Sequence, residues 1–214
     1  MNNKEFYLKW SFNNSKVSKL NAVSFGLPAY QSSDGFLVCP QANSCKAICY
    51  ARQGHYLLSN VAAAREYNLA IIRNNITDFE TKATEDLVKI TNKIVRIHDS
   101  GDFYSQEYYD AWNRIARHFP NKIFYAYTKS LHLNLWHNKA KNLKITQSEG
   151  GLLDDKIDKK KPHARIFSTN YLRRKAKYGD GHMTDTLAIR GAQKIGLVYH
   201  GNKKLTPAQK VYFS

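Results

Sequence analysis

Apolar and polar positions follow two rhythms along this chain. A stretch rich in alanine, leucine and isoleucine predicts a helix from Leu57 to Ile72. In the next segment Phe79, Ala83, Leu87 and Ile90 recur at spacings of four, four and three, the helical repeat, with Thr77 and Asp78 placed to cap the start. A third stripe of Tyr108, Ala111, Trp112, Ile115, Ala116 and Phe119 follows the capping residue Ser105 and stops at Pro120. A short helix is expected over residues 131–139. Between these lie short β-branched or aromatic runs that predict strands at residues 93–97, 123–127, 143–146, 165–167 and 195–199, with Phe36, Leu37 and Val38 leading into a loop before them.

Strands alternating with helices imply a parallel sheet joined by right-handed crossovers. About six such units predict an α/β fold closing as a partial or open (β/α)6-like barrel, ahead of a flat doubly wound sheet. Ligands in such folds sit where strands end. The residues just past each predicted strand are polar: Asp99 and Asp102, then Thr128 and Lys129, then Gln147, Ser148 and Glu149, then Ser168, Thr169 and Asn170, then His200. They predict one crowded polar mouth, although loops are polar in any fold.

The chain has 214 residues, 43% of them hydrophobic and 23% charged, as expected of a single domain over 1–214. Lys and Arg number 33 against 17 Asp and Glu, for a net charge of +16. Residues 1–138 carry +5 of it and the C-terminal third, 139–214, carries +11. Its densest runs are Lys159 to Lys161 and Arg173 to Lys175. Nucleic acid is the expected anionic partner, though lysine runs are commonly just solvated surface. Tyr125 and Tyr127, in a strand ending in Thr128 and Lys129, have the composition to stack a base and meet a phosphate; packing is the other reading. No apolar run approaches the roughly 20 residues that span a bilayer, and the first ten residues lack a signal-like apolar stretch, so no membrane partner and a cytoplasmic location are expected.

The chemistry concentrates in one place. Cys39, Cys45 and Cys49, the only cysteines, share the loop 39–51 with spacing C-x5-C-x3-C. Three thiolates on one loop suit an iron–sulfur cluster; zinc would need a fourth donor from elsewhere, and three metal-free thiols are the remaining reading. Lys46 nearby would favour the thiolates.

CPQANSCKAICYARQG, followed by VRIHDSGDFYSQEYYDAWNRIARHFPNKIFYAYTKS, resembles the phage-associated gene product 88 family over roughly residues 36–150: a cysteine loop ending in Cys-Tyr-Ala, a His-Asp-Ser-Gly-Asp-Phe turn and a Tyr-Thr-Lys-Ser segment. The layout is in turn similar to the radical S-adenosylmethionine superfamily. That similarity implies a [4Fe-4S] cluster on Cys39, Cys45 and Cys49, and S-adenosylmethionine bound near the turn Ser100-Gly101-Asp102, with Thr128 and Lys129 as further cofactor contacts. The spacing departs from the superfamily's usual C-x3-C-x2-C, and Ile48 stands where an aromatic residue precedes the last cysteine. If a side chain closes the cluster instead of the cofactor, His98, Asp99, Asp102 and His200 are the candidates; His98 could equally be a strand-end residue bonded to backbone, and Asp102 a turn cap. Two functions follow: an iron–sulfur enzyme acting on nucleic acid, or a non-enzymatic iron–sulfur or zinc protein that binds nucleic acid or protein through a structural or redox-sensing centre.

Overall fold

Four consecutive buried residues, Ala22–Phe25 (β2), begin the parallel part of an eight-stranded sheet. The structure, a computed structural model, describes residues 5–12, 19–181, 183–199 and 205–206. The other strands are Trp10–Ser11 (β1), Ile94–Ile97 (β3), Ile123–Thr128 (β4), Leu143–Ser148 (β5), His163–Phe167 (β6), Gly179–Asp180 (β7) and Lys194–Val198 (β8). They lie in the order β1-β2-β3-β4-β5-β6-β8-β7, and each neighbouring pair except β1–β2 is parallel. From β2 to β6 each strand is laid beside its predecessor in the chain. The described residues also form five α-helices: Ser59–Asn74 (α1), Ile76–Lys89 (α2), Gln106–His118 (α3), Asn170–Lys175 (α4) and Thr186–Ile189 (α5).

The two faces of the sheet differ. Val23, Phe25, Val95, Ile97, Phe124, Ala126, Leu143 and Ile145 pack against the stripes of α1, α2 and α3, with Phe79, Tyr108 and Trp112 fully buried among them. Strand alternation turns the intervening residues the other way. Ser24, Arg96, Tyr125 and Lys144 share one register row on that face. The N-terminal segment is pinned by buried Asp86 of α2, whose carboxylate accepts from the backbone N–H of Tyr7 and Leu8 and from Trp10 Nε1, at 2.8–2.9 Å.

Several expectations are corrected. Phe36, Leu37 and Val38 do lead into the cysteine loop, with Leu37 in one isolated bridge to Gln31, but the first parallel strand, β2, lies before them at Ala22–Phe25 and is not among the strands expected. Residues 131–139 form turns, not a helix, because Leu131, Leu133 and Leu135 alternate with a period of two and Asn138 adopts φ +47°. The cap of α2 is Asn75, whose side chain accepts from the N–H groups of Thr77 and Asp78. The five strands expected between 93 and 199 and the three long helices lie where expected, to within a few residues, whereas β1 and β7 are not among those expected.

Candidate functional site

The segment leaving β2 is tied down before it reaches the cysteines. Leu27 N donates to Ser100 O at 2.9 Å, and the N–H groups of Val38 and Cys39 both donate to Tyr30 O, at 2.8 and 3.0 Å. Cys45 then sits in the 3₁₀ turn Ser44–Ala47, and Cys49 directly precedes the turn Tyr50–Arg52. Across the mouth, the loop after β5 holds this segment: Asn43 N and Cys45 N both donate to Gly150 O, at 3.1 and 3.2 Å, and Leu152 N donates to Gln41 O at 2.9 Å. Gly150 has φ +102°, and a Cβ there would stand 3.1 Å from Cys45 Cβ and 3.4 Å from Lys129 Cε. Only glycine permits both the conformation and the approach. Asp154 fixes this clamp by accepting from Gly150 N and Gly151 N at 2.9 and 2.8 Å.

The cysteines therefore lie over the carboxyl ends of the central strands. All three are free thiols with part of their surface at solvent. Burial pushes the Cys39 thiol up, the Asp102 charge adds to the effect, and Lys129 opposes it. Cys49 is raised by burial and by Cys45, again with Lys129 opposing. Two thiols thus stay protonated unless a cation joins them. Among the described residues, no three His, Cys, Asp or Glu side chains gather round one point as a single metal ion requires.

The turn after β3 sends its side chains in different directions. His98, at φ +65°, turns into the helical core, where Nε2 lies 2.9 Å from the Tyr108 hydroxyl and the ring meets Phe103 edge-on. Burial, with Arg96 nearby, lowers its pKa to about 3. Asp99 pairs with Arg65 at 3.2 Å. Asp102 stays at the mouth, but both its oxygens are engaged: Oδ1 accepts from Thr128 Oγ1 at 2.6 Å and Phe103 N at 2.8 Å, and Oδ2 from Lys129 N at 2.9 Å. Burial still raises its pKa against those bonds. Ser100 is buried and Gly101 has φ +90°, where a Cβ would meet Leu27 Cβ at 2.7 Å. Lys129 Nζ donates to Ser148 Oγ at 3.0 Å. The structure therefore gathers the cysteines, Asp102, Thr128, Lys129 and Gly150, and directs His98 and Asp99 elsewhere. His200 lies outside the described residues.

A model of the gene product 88 family matches residues 3–210, nearly the whole chain. The chain belongs to the gene product 88 family. The match extends well beyond the segment 36–150 that carries the resemblance in sequence. Among curated proteins, the chain is similar to the Gene 88 protein of Mycobacterium phage D29, 36% identical over 118 residues covering 50% of this chain and 48% of that protein. It is similar also to the Gene 88 protein of Mycobacterium phage L5, 34% identical over 118 residues with the same coverage. The chain spans about half the length of the curated relatives it matches. No solved structure matches it. Among the described residues, no helix is long and apolar enough to cross a membrane.

Three features of this gene product 88 chain escape the sequence reading. Tyr50, next to Cys49, donates its hydroxyl to Asp99 O at 2.5 Å and accepts from Arg96 Nη2 at 3.1 Å. Arg96 pairs in turn with fully buried Asp185 at 3.0 Å, and Asp185 accepts from the hydroxyls of Tyr125 and Tyr127 at 3.0 and 3.3 Å. The third is the Gly150 clamp. An arginine inside an apolar strand, and a pair of glycines one residue beyond the end of a strand, are the signals that could have pointed to them.

Proposed function

We propose that Cys39, Cys45 and Cys49 hold a [4Fe-4S] cluster whose fourth iron is left for a small molecule, with S-adenosylmethionine as the expected occupant, in an iron–sulfur enzyme of radical S-adenosylmethionine-like, barrel-like architecture. The observation that carries the reading is the engagement, among the described residues, of three of the four alternative ligands: His98 faces Tyr108, Asp99 is paired with Arg65, and Asp102 is spent on Thr128, Phe103 and Lys129. The donor set suits a cluster, which takes one thiolate per iron, better than zinc, which draws its thiolates to about 2.3 Å of one point. Free thiols whose deprotonation burial opposes gain from a cationic group, and Lys129 offsets charge beside them. When bound, the cluster would supply the electron for reductive cleavage of the cofactor. The chain's own residues clamp the cysteine loop through Gly150, screen the thiolates with Lys129, and order the mouth by the Asp102 bonds to Thr128 and Lys129.

A cluster with a structural or redox-sensing role is the second reading, favoured by the C-x5-C-x3-C spacing with Ile48 before the last cysteine. Anaerobic reconstitution followed by reduction separates the two. A change in the reduced cluster's electron paramagnetic resonance signal on adding S-adenosylmethionine, with cleavage of the cofactor, supports the enzyme. An unchanged signal with the cluster intact supports the second reading.

A further inference from the structure

The basic C-terminal third is not uniformly available to a partner. Residues 159–179 contain eight Lys and Arg and no Asp or Glu. Several of those charges are consumed internally: Lys159 and Arg165 both pair with Glu149, at 2.7 and 3.4 Å, Lys161 pairs with Asp158 at 3.4 Å, and Arg173 is buried against Asp180 at 3.0 Å. Lys160, Arg174, Lys175 and Lys177 are exposed. So is Tyr171, at 71%, on the same short helix α4.

Register joins these residues into one surface. The start of β6 lies beside the end of β5, with His163 opposite Gln147, and β8 begins opposite the same residue, with Lys194 opposite His163. After α4 the chain returns to this level: the Tyr178 hydroxyl is 3.1 Å from His163 Nε2, and Lys194 Nζ lies over the Tyr178 ring. Gln193 Nε2 donates to Lys159 O at 2.8 Å. Through Tyr178, Lys194, Gln193 and Lys159 these contacts join the chain after Lys177 to the chain around Lys160 as one basic band; Lys159 in turn pairs with Glu149, the residue before the Gly150 that holds Cys45.

We propose that this band binds single-stranded nucleic acid, with Tyr171 as a stacking platform and Lys160, Arg174, Lys175 and Lys177 on the phosphates, leading the strand toward the cysteine mouth. Exposed cations spaced along a band fit a polyanionic backbone, and an exposed ring offers a face to an unpaired base. An anionic membrane would instead require an apolar face beside the charge, and α4 presents one exposed ring there. The inference goes beyond the cluster reading and does not depend on it, because binding is measured whatever the cysteines hold.

The test is fluorescence anisotropy of the purified full chain with labelled oligo-dT and oligo-U, titrated over a range of salt. Saturable binding that weakens with salt is expected. Combining Arg174→Glu, Lys175→Glu and Lys177→Glu should weaken it at least tenfold and flatten the log–log salt slope by about 2, from roughly 0.7 per phosphate lost. Tyr171→Ala should weaken it about tenfold while Tyr171→Phe retains it. Lys93→Glu, the same charge change on an exposed residue three strands away, should leave it unchanged. Circular dichroism confirms that each variant is folded. Absence of saturable binding at low salt, an unchanged slope in the triple variant, preference for duplex, or capture by phosphatidylserine vesicles that oligonucleotide does not compete would each overturn the proposal.

Discussion

The hydroxyl of Tyr50 lies 3.1 Å from the guanidinium of Arg96, linking the residue after the third cysteine to the middle of strand β3. Arg96 is itself held by fully buried Asp185 near the other end of the chain, so one chain of bonds ties the cysteine loop to the sheet's polar face and to α5. Tyr50→Phe keeps the ring and removes the bridge. It should cost about 1–2 kcal/mol of folding stability, since it also leaves a buried guanidinium N–H unpaired. Urea denaturation checks the cost, and a stability equal to the parent's would show that the loop does not lean on Arg96.

Gly150 is the second anchor. Gly150→Ala forces a side chain into φ +102° and within 3.1 Å of Cys45 Cβ. A loss of about 1–3 kcal/mol is expected, together with faster loss of whatever the cysteines bind. Gly54→Ala, also at positive φ but with open space around it, is the control, and should keep that group at the parent's rate.

His98 makes stability depend on pH. Its folded pKa is lowered to about 3 by burial, whereas the unfolded chain protonates near the ordinary 6.5. Between those values the unfolded state binds the extra proton. The contribution is therefore fully present above pH 6.5 and is lost progressively as pH falls toward 3, by up to about 1.4 kcal/mol per pH unit. Urea midpoints of the parent and His98→Gln at pH 7 and pH 5 should converge on acidification; a constant gap would mean that His98 titrates normally in the folded protein.

Asp86 carries the N-terminal segment. Asp86→Ala strips a partner from Tyr7 N, Leu8 N and Trp10 Nε1 at once, and should lower stability by about 3 kcal/mol. Trp10 fluorescence would report release of the segment, and an unshifted spectrum with parental stability would contradict this role.

Much of the helical architecture is legible because it is periodic: Phe79, Ala83 and Leu87 repeat at helical spacing, and all three are fully buried. Strand β2 is not, since Ala22–Phe25 is short and buried at every position, leaving no alternation to detect. The three alternating leucines of residues 131–135 mislead a reading based on apolar density alone. At the site, cysteine spacing shows which residues belong together. It cannot show that positive φ at His98 and Gly101 points successive side chains of one turn into the core and toward the mouth. Nor does it show that Gly150, more than a hundred residues from Cys39, closes the loop, because that depends on the order of strands in the sheet.

Iron and acid-labile sulfide, measured per chain after anaerobic purification and reconstitution, test the central claim most directly. About four of each with broad visible absorption are expected, lost in each of Cys39→Ala, Cys45→Ala and Cys49→Ala. Stoichiometric zinc without sulfide, or a full cluster retained in any one of those variants, would contradict it.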